Sequence, residues 1–250
     1  MRILESEVAT PKVVERTRFQ TELDALRERE KAHTREGDEI AAARRRLPMV
    51  AVDGNARLVG KNGPTTLLEA FEGRAMLIAY YYMWFDGKPA SEQCEGCTWF
   101  TTQVGELDHI HSRDVTYATL CQGSYEESAR YRDFMGWKMP WYSAQESLDT
   151  LLVGRRIGMM HLVCYLRRGV DVFETYWTTR RGVEAMDNSY RLLDLTVYGR
   201  QEEQVVSPTG WPQGWGENEN VHPFRREGRP ISQWSRLEAG YSDDLSTRRR

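Results

Sequence analysis

The sequence predicts an α/β fold in which a central mixed sheet is flanked by helices. The first support is residues 75–85, an apolar, aromatic-rich run without polar alternation, as expected of a strand buried on both faces. The second is the motif Cys94-Glu95-Gly96-Cys97, which follows a short loop and opens a segment with helical spacing. The third is the continued alternation of strand-like and helix-like segments as far as residue 193.

The composition indicates a folded protein without general affinity for nucleic acids or membranes. The 250 residues are 40% hydrophobic and include 8 Trp and 12 Tyr, which suffices for a packed core. The net charge of -3 gives no general attraction to nucleic acid or anionic lipid. No apolar run approaches the ~20 residues of a membrane-spanning helix. Because Glu5 and Glu7 occupy the N-terminus and no apolar signal core follows, a cytoplasmic location is predicted.

The N-terminal region, residues 1–47, is predicted to be a helical arm. It is densely charged and has only a thin apolar stripe that includes Phe19, Leu26 and Ile40. Gly37 suggests a break, with a second helix over 38–46. Such an arm would lie on the domain or pair with another copy of the chain, so a homodimer is a reasonable expectation.

The following residues, 48–200, are predicted to form the main domain. Residues 49–52 and 57–59 suggest a short hairpin through a glycine turn. The later predicted elements are, in order, a helical turn at 65–71, a strand at 75–85, a helix at 98–111, a strand at 115–121, a helix at 125–135, an aromatic loop at 137–142, a hairpin at 160–166 and 170–177, and a helix at 183–193. This is the order of a thioredoxin-type domain. Residues 201–250 are interpreted as an irregular tail containing Pro, Gly and Trp.

The Cys-X-X-Cys pair favours thiol–disulfide chemistry. The spacing places both sulfurs on the first helical turn, where free N–H groups and the helix dipole stabilise a thiolate. Cys94 would then be the nucleophile and Cys97 would resolve the mixed disulfide. The carboxylate of Glu95 opposes the thiolate, so Cys94 is expected to be less acidic than in strongly oxidising relatives.

Two other uses of the cysteines stay open. A metal or sulfur carrier at Cys94 and Cys97 is one of them, although no second pair supplies the four ligands of a zinc site. No metal and no cofactor is therefore predicted. Cys121 ends the next strand and could lie near the pair, because neighbouring parallel strands end at one edge. It is a candidate third thiol, or simply a small buried residue.

A peroxide-reducing site is only half matched, and an aromatic pocket is an alternative. Ser91 stands three residues before Cys94, where such sites place Thr or Ser, but Gly87 occupies the proline position.

The aromatic residues expected at the active edge lie at element ends. They are Trp84, Phe85, Trp99 and Trp141. A non-redox binding protein with an aromatic small-molecule pocket is thus a second hypothesis.

A string of further motifs is similar to a known family. The motifs are Arg44-Arg45-Arg46-Leu47-Pro48, Cys94-Glu95-Gly96-Cys97, Met135-Gly136-Trp137, Pro140-Trp141-Tyr142-Ser143, Arg181-Gly182-Val183-Glu184, Leu192-Leu193-Asp194-Leu195-Thr196 and Gly199-Arg200-Gln201-Glu202. Together they resemble an uncharacterised bacterial thioredoxin-like family, domain of unknown function 899, within the thioredoxin and peroxiredoxin-like superfamily. The resemblance implies a thioredoxin-like fold and a redox role with no agreed substrate.

The chain departs from thioredoxins at two positions. Gln93 stands where thioredoxins have Trp before the pair, and Met159-Met160 lacks the proline that shapes their substrate groove. These departures favour a dedicated thiol or disulfide partner, or a small molecule, over general disulfide reduction.

Overall fold

The computed structural model describes residues 9–202, 205–212 and 222–246. Its strands are β1 (Val50–Val52), β2 (Arg57–Gly60), β3 (Gly63–Thr66), β4 (Met76–Tyr82), β5 (Val115–Cys121), β6 (Trp141–Ser143), β7 (His161–Arg168), β8 (Asp171–Thr179), β9 (Arg225–Arg226) and β10 (Arg229–Pro230). The first eight strands form one sheet in the order β1-β8-β7-β4-β5-β6-β2-β3. The last two form a separate small hairpin.

The centre of the sheet has a thioredoxin-like topology. β4 and β5 are parallel, and β6 is parallel to β5. On the other side of β4, β7 is antiparallel to it and continues through a hairpin into β8. This arrangement confirms the predicted fold: parallel strands are followed by an antiparallel hairpin in one mixed sheet.

Helices cover both faces of the sheet, apart from the N-terminal arm. The helices are α1 (Arg16–Arg44), α2 (Glu95–Gln103), α3 (Asp108–His111), α4 (Tyr125–Met135), α5 (Leu148–Leu151), α6 (Arg181–Glu184), α7 (Asn188–Leu193) and α8 (Trp234–Glu238). Tyr80 and Tyr82 of β4 belong to the core shared with α2 and α4, whereas Leu77 and Tyr81 belong to the core shared with α5. Strand β4 is therefore buried on both faces, as its apolar run predicted.

The predicted hairpin at 49–59 is wrong. The turn itself forms, because the carboxylate of Asp53 accepts a hydrogen bond from the Asn55 N–H at 2.9 Å. Its two arms nevertheless diverge: β1 pairs with β8, while β2 pairs with β3 and β6 at the opposite edge. Because β2 lies at the opposite edge from β1, Leu58 is part of the core shared with α5, where it is 1% exposed.

Several predicted helix boundaries also differ from the structure. α1 runs through Gly37 without a break, because extending an existing helix past one glycine costs only about 1 kcal/mol. The predicted helix at 98–111 is divided into α2 and α3, and the one at 183–193 into α6 and α7. The second division follows from Asp187, whose carboxylate accepts a hydrogen bond from the Tyr190 N–H and caps a new helix. The predicted aromatic loop at 137–142 contributes β6.

The C-terminal residues that the structure describes contain short ordered elements. β9, β10 and α8 all lie between residues 222 and 246 and contact the main body, chiefly around α2. The division into an arm, a domain and a tail at residues 47 and 200 stays a prediction. Within the described ranges, no helix combines the length and apolarity needed to cross a membrane.

Candidate active site

The two cysteines lie at the first turn of α2, directly beyond the carboxyl end of β4. Cys94 is the N-cap residue, and its sulfur accepts a hydrogen bond from the Cys97 N–H at 3.4 Å. The Cys94 thiol also lies 3.8 Å from the sulfur of Met83. Cys94 is half-buried and Cys97 is fully buried, and both are free thiols. An accessible sulfur thus stands in front of an enclosed one.

The environment gives the two thiols opposite acidities. A hydrogen bond from the Cys97 thiol is the largest effect on Cys94 and lowers its pKa below the ordinary value. The N–H groups of Cys97 and Gly96 act in the same direction, whereas burial and the Glu95 carboxylate oppose them. Burial raises the pKa of Cys97 well above its ordinary value. Cys94 is therefore the group that ionises first.

Gln93 organises the loop that precedes the pair. Its side chain is fully buried, and its amide accepts a hydrogen bond from the Phe85 N–H at 3.1 Å. The same amide donates to the carbonyls of Phe85 at 2.9 Å and Lys88 at 3.0 Å. A tryptophan at this position could not make these three contacts. The backbone of Phe85 is thereby fixed, while its ring stays 40% exposed.

A chain of hydroxyl groups connects Cys94 to the C-terminal region. The Thr98 hydroxyl donates to the Cys94 carbonyl at 2.8 Å and is hydrogen-bonded to the hydroxyls of Tyr82 at 2.7 Å and Tyr131 at 2.8 Å. Tyr131 in turn accepts a hydrogen bond from the Gln233 amide at 2.6 Å. Because the Cys94 carbonyl can only accept, Thr98 donates its single hydroxyl hydrogen there and accepts from both tyrosines, so the chain of donors runs from Gln233 towards Cys94.

Glu95 is paired with two side chains that sequence reasoning did not select. Arg225 donates to its carboxylate at 3.0 Å, and His222 lies 3.6 Å from the other carboxylate oxygen. The expected opposition of Glu95 to the thiolate is thus present, but a guanidinium faces the carboxylate. No local signal could have identified Arg225, which is 130 residues from its partner.

Three other predicted site residues, Ser91, Gly96 and Trp99, lie within α2 or just before it. Ser91 contacts Arg225 through its carbonyl at 2.8 Å. A Cβ added at Gly96 would meet no atom within 4 Å, so the approach beside the helix start is open. Trp99 packs its ring on Tyr190 and on Phe224, with centroids 4.4 and 4.9 Å away.

The tryptophans Trp84 and Trp141 are core residues beside the site. They are 8% and 3% exposed. The indole N–H of Trp84 donates to Glu127 at 3.1 Å, and that of Trp141 donates to Ser128 at 3.0 Å. Both rings pack around Tyr82. Both tryptophans thus belong to the core cluster that also contains Tyr82 and Cys97.

Cys121 is buried in the same core cluster as Cys97. It lies opposite Tyr82 in the register of β4 and β5. Burial raises its pKa to about 12, and burial raises that of Cys164 to about 11. Neither the Cys121 thiol nor the Cys164 thiol is therefore set to ionise near neutral pH. A role for Cys121 as a third thiol stays a prediction.

The segment before β7 is held by Gln122 in place of a proline. The Gln122 amide donates to the Met159 carbonyl and accepts from the Gly158 N–H, both at 2.8 Å. No cis peptide bond occurs among the described residues. Across the ranges that the structure describes, no three His, Cys, Asp or Glu side chains are grouped so as to hold a metal ion.

A family model matches most of the chain. A family model described as bacterial protein of unknown function (DUF899) matches residues 8–236. The chain belongs to this family. The matched range includes Cys94, Cys97, Arg225 and Gln233. Among curated proteins, none matches the sequence significantly.

Solved structures similar to this DUF899 protein are bacterial peroxiredoxins. A cysteine-to-serine variant of Xanthomonas campestris peroxiredoxin Q is 14% identical, with a TM-score of 0.38 over 59% of this chain and 97% of its own. A Xylella fastidiosa PrxQ variant is 12% identical, with a TM-score of 0.38 over 58% and 94%. The X. campestris bacterioferritin comigratory protein, studied for alkyl peroxide reduction, is 12% identical with a TM-score of 0.39 over 59% and 97%. The fold assignment follows from the strand order itself.

Proposed function

We propose that this DUF899 protein is a thiol–disulfide oxidoreductase in which Cys94 attacks and Cys97 resolves. The observation that carries the proposal is the asymmetry of the pair. Cys94 is accessible, capped by N–H groups and has a lowered pKa, whereas Cys97 is enclosed and has a raised pKa. A nucleophile and a resolving thiol need this difference, because only the first should ionise before substrate arrives.

The reaction would proceed in two exchanges that together move two electrons. The Cys94 thiolate attacks one sulfur of a substrate disulfide, and the other substrate sulfur leaves as a thiolate that takes up a proton. Cys97 then loses its proton and attacks the Cys94 sulfur, which releases the second substrate thiol. The substrate disulfide is reduced to two thiols and the Cys94–Cys97 pair is oxidised to a disulfide. A partner dithiol would restore the reduced pair.

The surroundings favour a dedicated substrate. Gln93 fixes the loop before Cys94 and Gln122 fixes the segment before β7 through hydrogen bonds of their own, so these carbonyls are already occupied. The open approach is beside Gly96. A substrate would therefore reach Cys94 past the first turn of α2, in a reducing compartment such as the cytoplasm.

Alkylation of the thiols as a function of pH tests the proposal. The rate at Cys94 should follow the thiolate fraction, with a midpoint below the ordinary cysteine pKa of about 8.5. Cys97 should remain unreacted over the same range in the folded protein. Mild oxidation should link Cys94 to Cys97, as detected by peptide mass analysis. An ordinary pKa at Cys94 together with failure to form this disulfide would contradict the proposal.

We also propose a homodimer formed through α1. This helix of 29 residues has no buried residue, and Phe19 and Leu26 on its apolar stripe are each 46% exposed. A helix gains most of its stability by packing its apolar stripe. The arm also carries charges of both signs, including the Arg18–Glu22 pair. Its charge pattern is therefore compatible with packing against a second copy of the same helix.

Sedimentation of the full-length protein tests the dimer. A Phe19→Glu, Leu26→Glu variant should sediment as a monomer where the wild type sediments as a dimer, because a charge would replace each apolar contact. A Thr21→Glu variant changes the opposite face of α1 and should remain dimeric. A wild-type monomer at high protein concentration would overturn the proposal.

A further inference from the structure

Arg225, in the C-terminal hairpin, binds the backbone on one side of Cys94 and a side chain on the other. One terminal nitrogen of its guanidinium donates to the carbonyls of Ser91 and Gly228, each at 2.8 Å. The other donates to the Gln93 carbonyl at 3.2 Å and to the Glu95 carboxylate at 3.0 Å. All four terminal N–H groups are thus engaged, three of them with residues on either side of Cys94.

A second contact from the same C-terminal segment acts on the same loop. The Gln233 amide donates to the Ala90 carbonyl at 2.7 Å as well as to Tyr131. Gln233 itself is fully buried. The carbonyls of Ala90, Ser91 and Gln93 therefore all accept hydrogen bonds from residues beyond 220. The loop that delivers Cys94 to the start of α2 is held from outside the main domain.

We propose that Arg225 is a positioning residue for the thiol chemistry, and that the C-terminal hairpin is part of the active site. It binds the Glu95 carboxylate and fixes the loop that presents Cys94 to the N–H groups of α2. The inference rests on the proposed role of Cys94, but it concerns how that sulfur is kept reactive.

The electrostatic reason is the position of Glu95. A carboxylate next to the sulfur disfavours a second negative charge there. Arg225 and Glu95 form a partly buried pair, with 23% and 26% of their side chains exposed, so the guanidinium is only partly screened by water. With Arg225 in place the pair is neutral. Without it, the carboxylate would act on Cys94 with no guanidinium facing it, and the loop carbonyls of Ser91 and Gln93 would lose their hydrogen-bond donor.

Other ionisable groups also face Cys94 and enter the expected pH dependence. They are Cys97 and Glu95 on α2, Tyr80 and Tyr82 on β4, Tyr131 on α4, and His222 and Arg225 near the hairpin. Burial raises the pKa values of the three tyrosines, so they stay neutral wherever Cys94 titrates. The charged pair that sets the field at Cys94 is therefore Glu95 with Arg225, and the imidazole of His222 lies beside it.

The experiment measures the pKa of Cys94 by the pH dependence of alkylation in a set of full-length variants. Arg225→Ala should raise this pKa, which would lower the thiolate fraction at pH 7 by about three- to tenfold, one pKa unit being tenfold. Glu95→Gln alone should lower the pKa. The double variant Arg225→Ala, Glu95→Gln should recover at least half of the shift. Arg225→Lys, which keeps the charge but not the fork of donors, should fall between wild type and Arg225→Ala.

Two comparisons separate positioning from general stability. Arg226→Ala removes the neighbouring arginine, whose guanidinium lies over Trp234, and should leave the Cys94 pKa unchanged. A merely structural role for Arg225 would make Arg225→Ala raise the Cys94 pKa by the same amount in the Glu95→Gln background as in the wild type, and this outcome would overturn the inference. If Arg225→Ala does not fold, an unchanged pKa in both Glu95→Gln and Arg225→Lys would overturn it equally.

The measurement is independent of any substrate. A chain that shows the predicted pKa shifts but exchanges no disulfide would contradict the proposed function and leave the inference intact. A chain that exchanges disulfides but whose Cys94 pKa is unchanged by Arg225→Ala would contradict the inference and leave the proposed function intact.

Discussion

A Cys94→Ser variant is expected to lose thiol–disulfide exchange by on the order of 10³-fold or more, because a hydroxyl at this position does not ionise near neutral pH. The fold should be unaffected, since Cys94 is only half-buried. The measurement is the reduction of a small disulfide by the full-length protein, with a dithiol as electron donor. The same variant should be assayed with hydrogen peroxide, since Ser91 matches half of a peroxide-reducing motif.

A Cys97→Ser variant should behave differently, which makes the pair of variants diagnostic. Cys94 can still attack, but no second thiol resolves the product, so a mixed disulfide between Cys94 and the substrate should accumulate and be visible by mass. The serine keeps much of the size of the buried cysteine. Cys164→Ser is the matched control: Cys164 lies in β7, opposite Ile78 of β4, and has no role in the proposed reaction, so exchange should continue at the wild-type rate.

The outcome also decides the place of Cys121. If Cys97→Ser still turns over and Cys121→Ser, Cys97→Ser does not, Cys121 is the resolving thiol and the assignment of Cys97 is wrong. The burial that raises the pKa of Cys121 to about 12 makes this a slow resolving group. We therefore expect turnover to stop in Cys97→Ser alone.

The sequence predicted best those features that depend on local patterns. β5 and α4 have the predicted bounds, because an apolar strand and a helix with Ser124 as cap and Gly136 at its end are complete local signals. The cysteine pair at the start of α2 was predicted for the same reason. Both rest on residues within one turn or one strand of each other.

Long-range pairing could not be predicted in this way. The position of β1 beside β8 depends on which open strand edge is available, and no pattern within residues 49–59 encodes that choice. Arg225 lies in a segment with no periodicity, and its partners become evident only when the hairpin lies against α2. From the sequence, Gln93 was only a departure from the tryptophan that thioredoxins have at this position. The structure shows that its side chain binds three backbone groups of the loop before Cys94.

A Gly123→Ala substitution is expected to destabilise the protein by ~1–3 kcal/mol. A Cβ at Gly123 would lie 1.9 Å from Cδ1 and 2.3 Å from Cγ of the Trp84 ring. These atoms are at the base of a large buried side chain, so a small rotation cannot relieve the clash. Displacement of the ring would also endanger its 3.1 Å hydrogen bond to Glu127. Urea unfolding, followed by circular dichroism, measures the loss in free energy of unfolding.

Two further variants show whether the clash with Trp84 is the cause. Gly105→Ala is the matched control, because a Cβ there would meet no atom within 4 Å, and its effect should stay within about 0.5 kcal/mol. Adding Gly123→Ala to a Trp84→Ala background should cost far less than adding it to the wild type, since the ring it would strike is gone. Equal costs on the two backgrounds would mean that Trp84 does not occupy this space.

The contact matters for the site because Trp84 packs on Tyr82 and Tyr131. The hydroxyls of these two tyrosines are both hydrogen-bonded to Thr98, which in turn donates to the Cys94 carbonyl. Crowding at Gly123 should therefore reduce stability first, and also alter the alkylation rate of Cys94 through this packed contact.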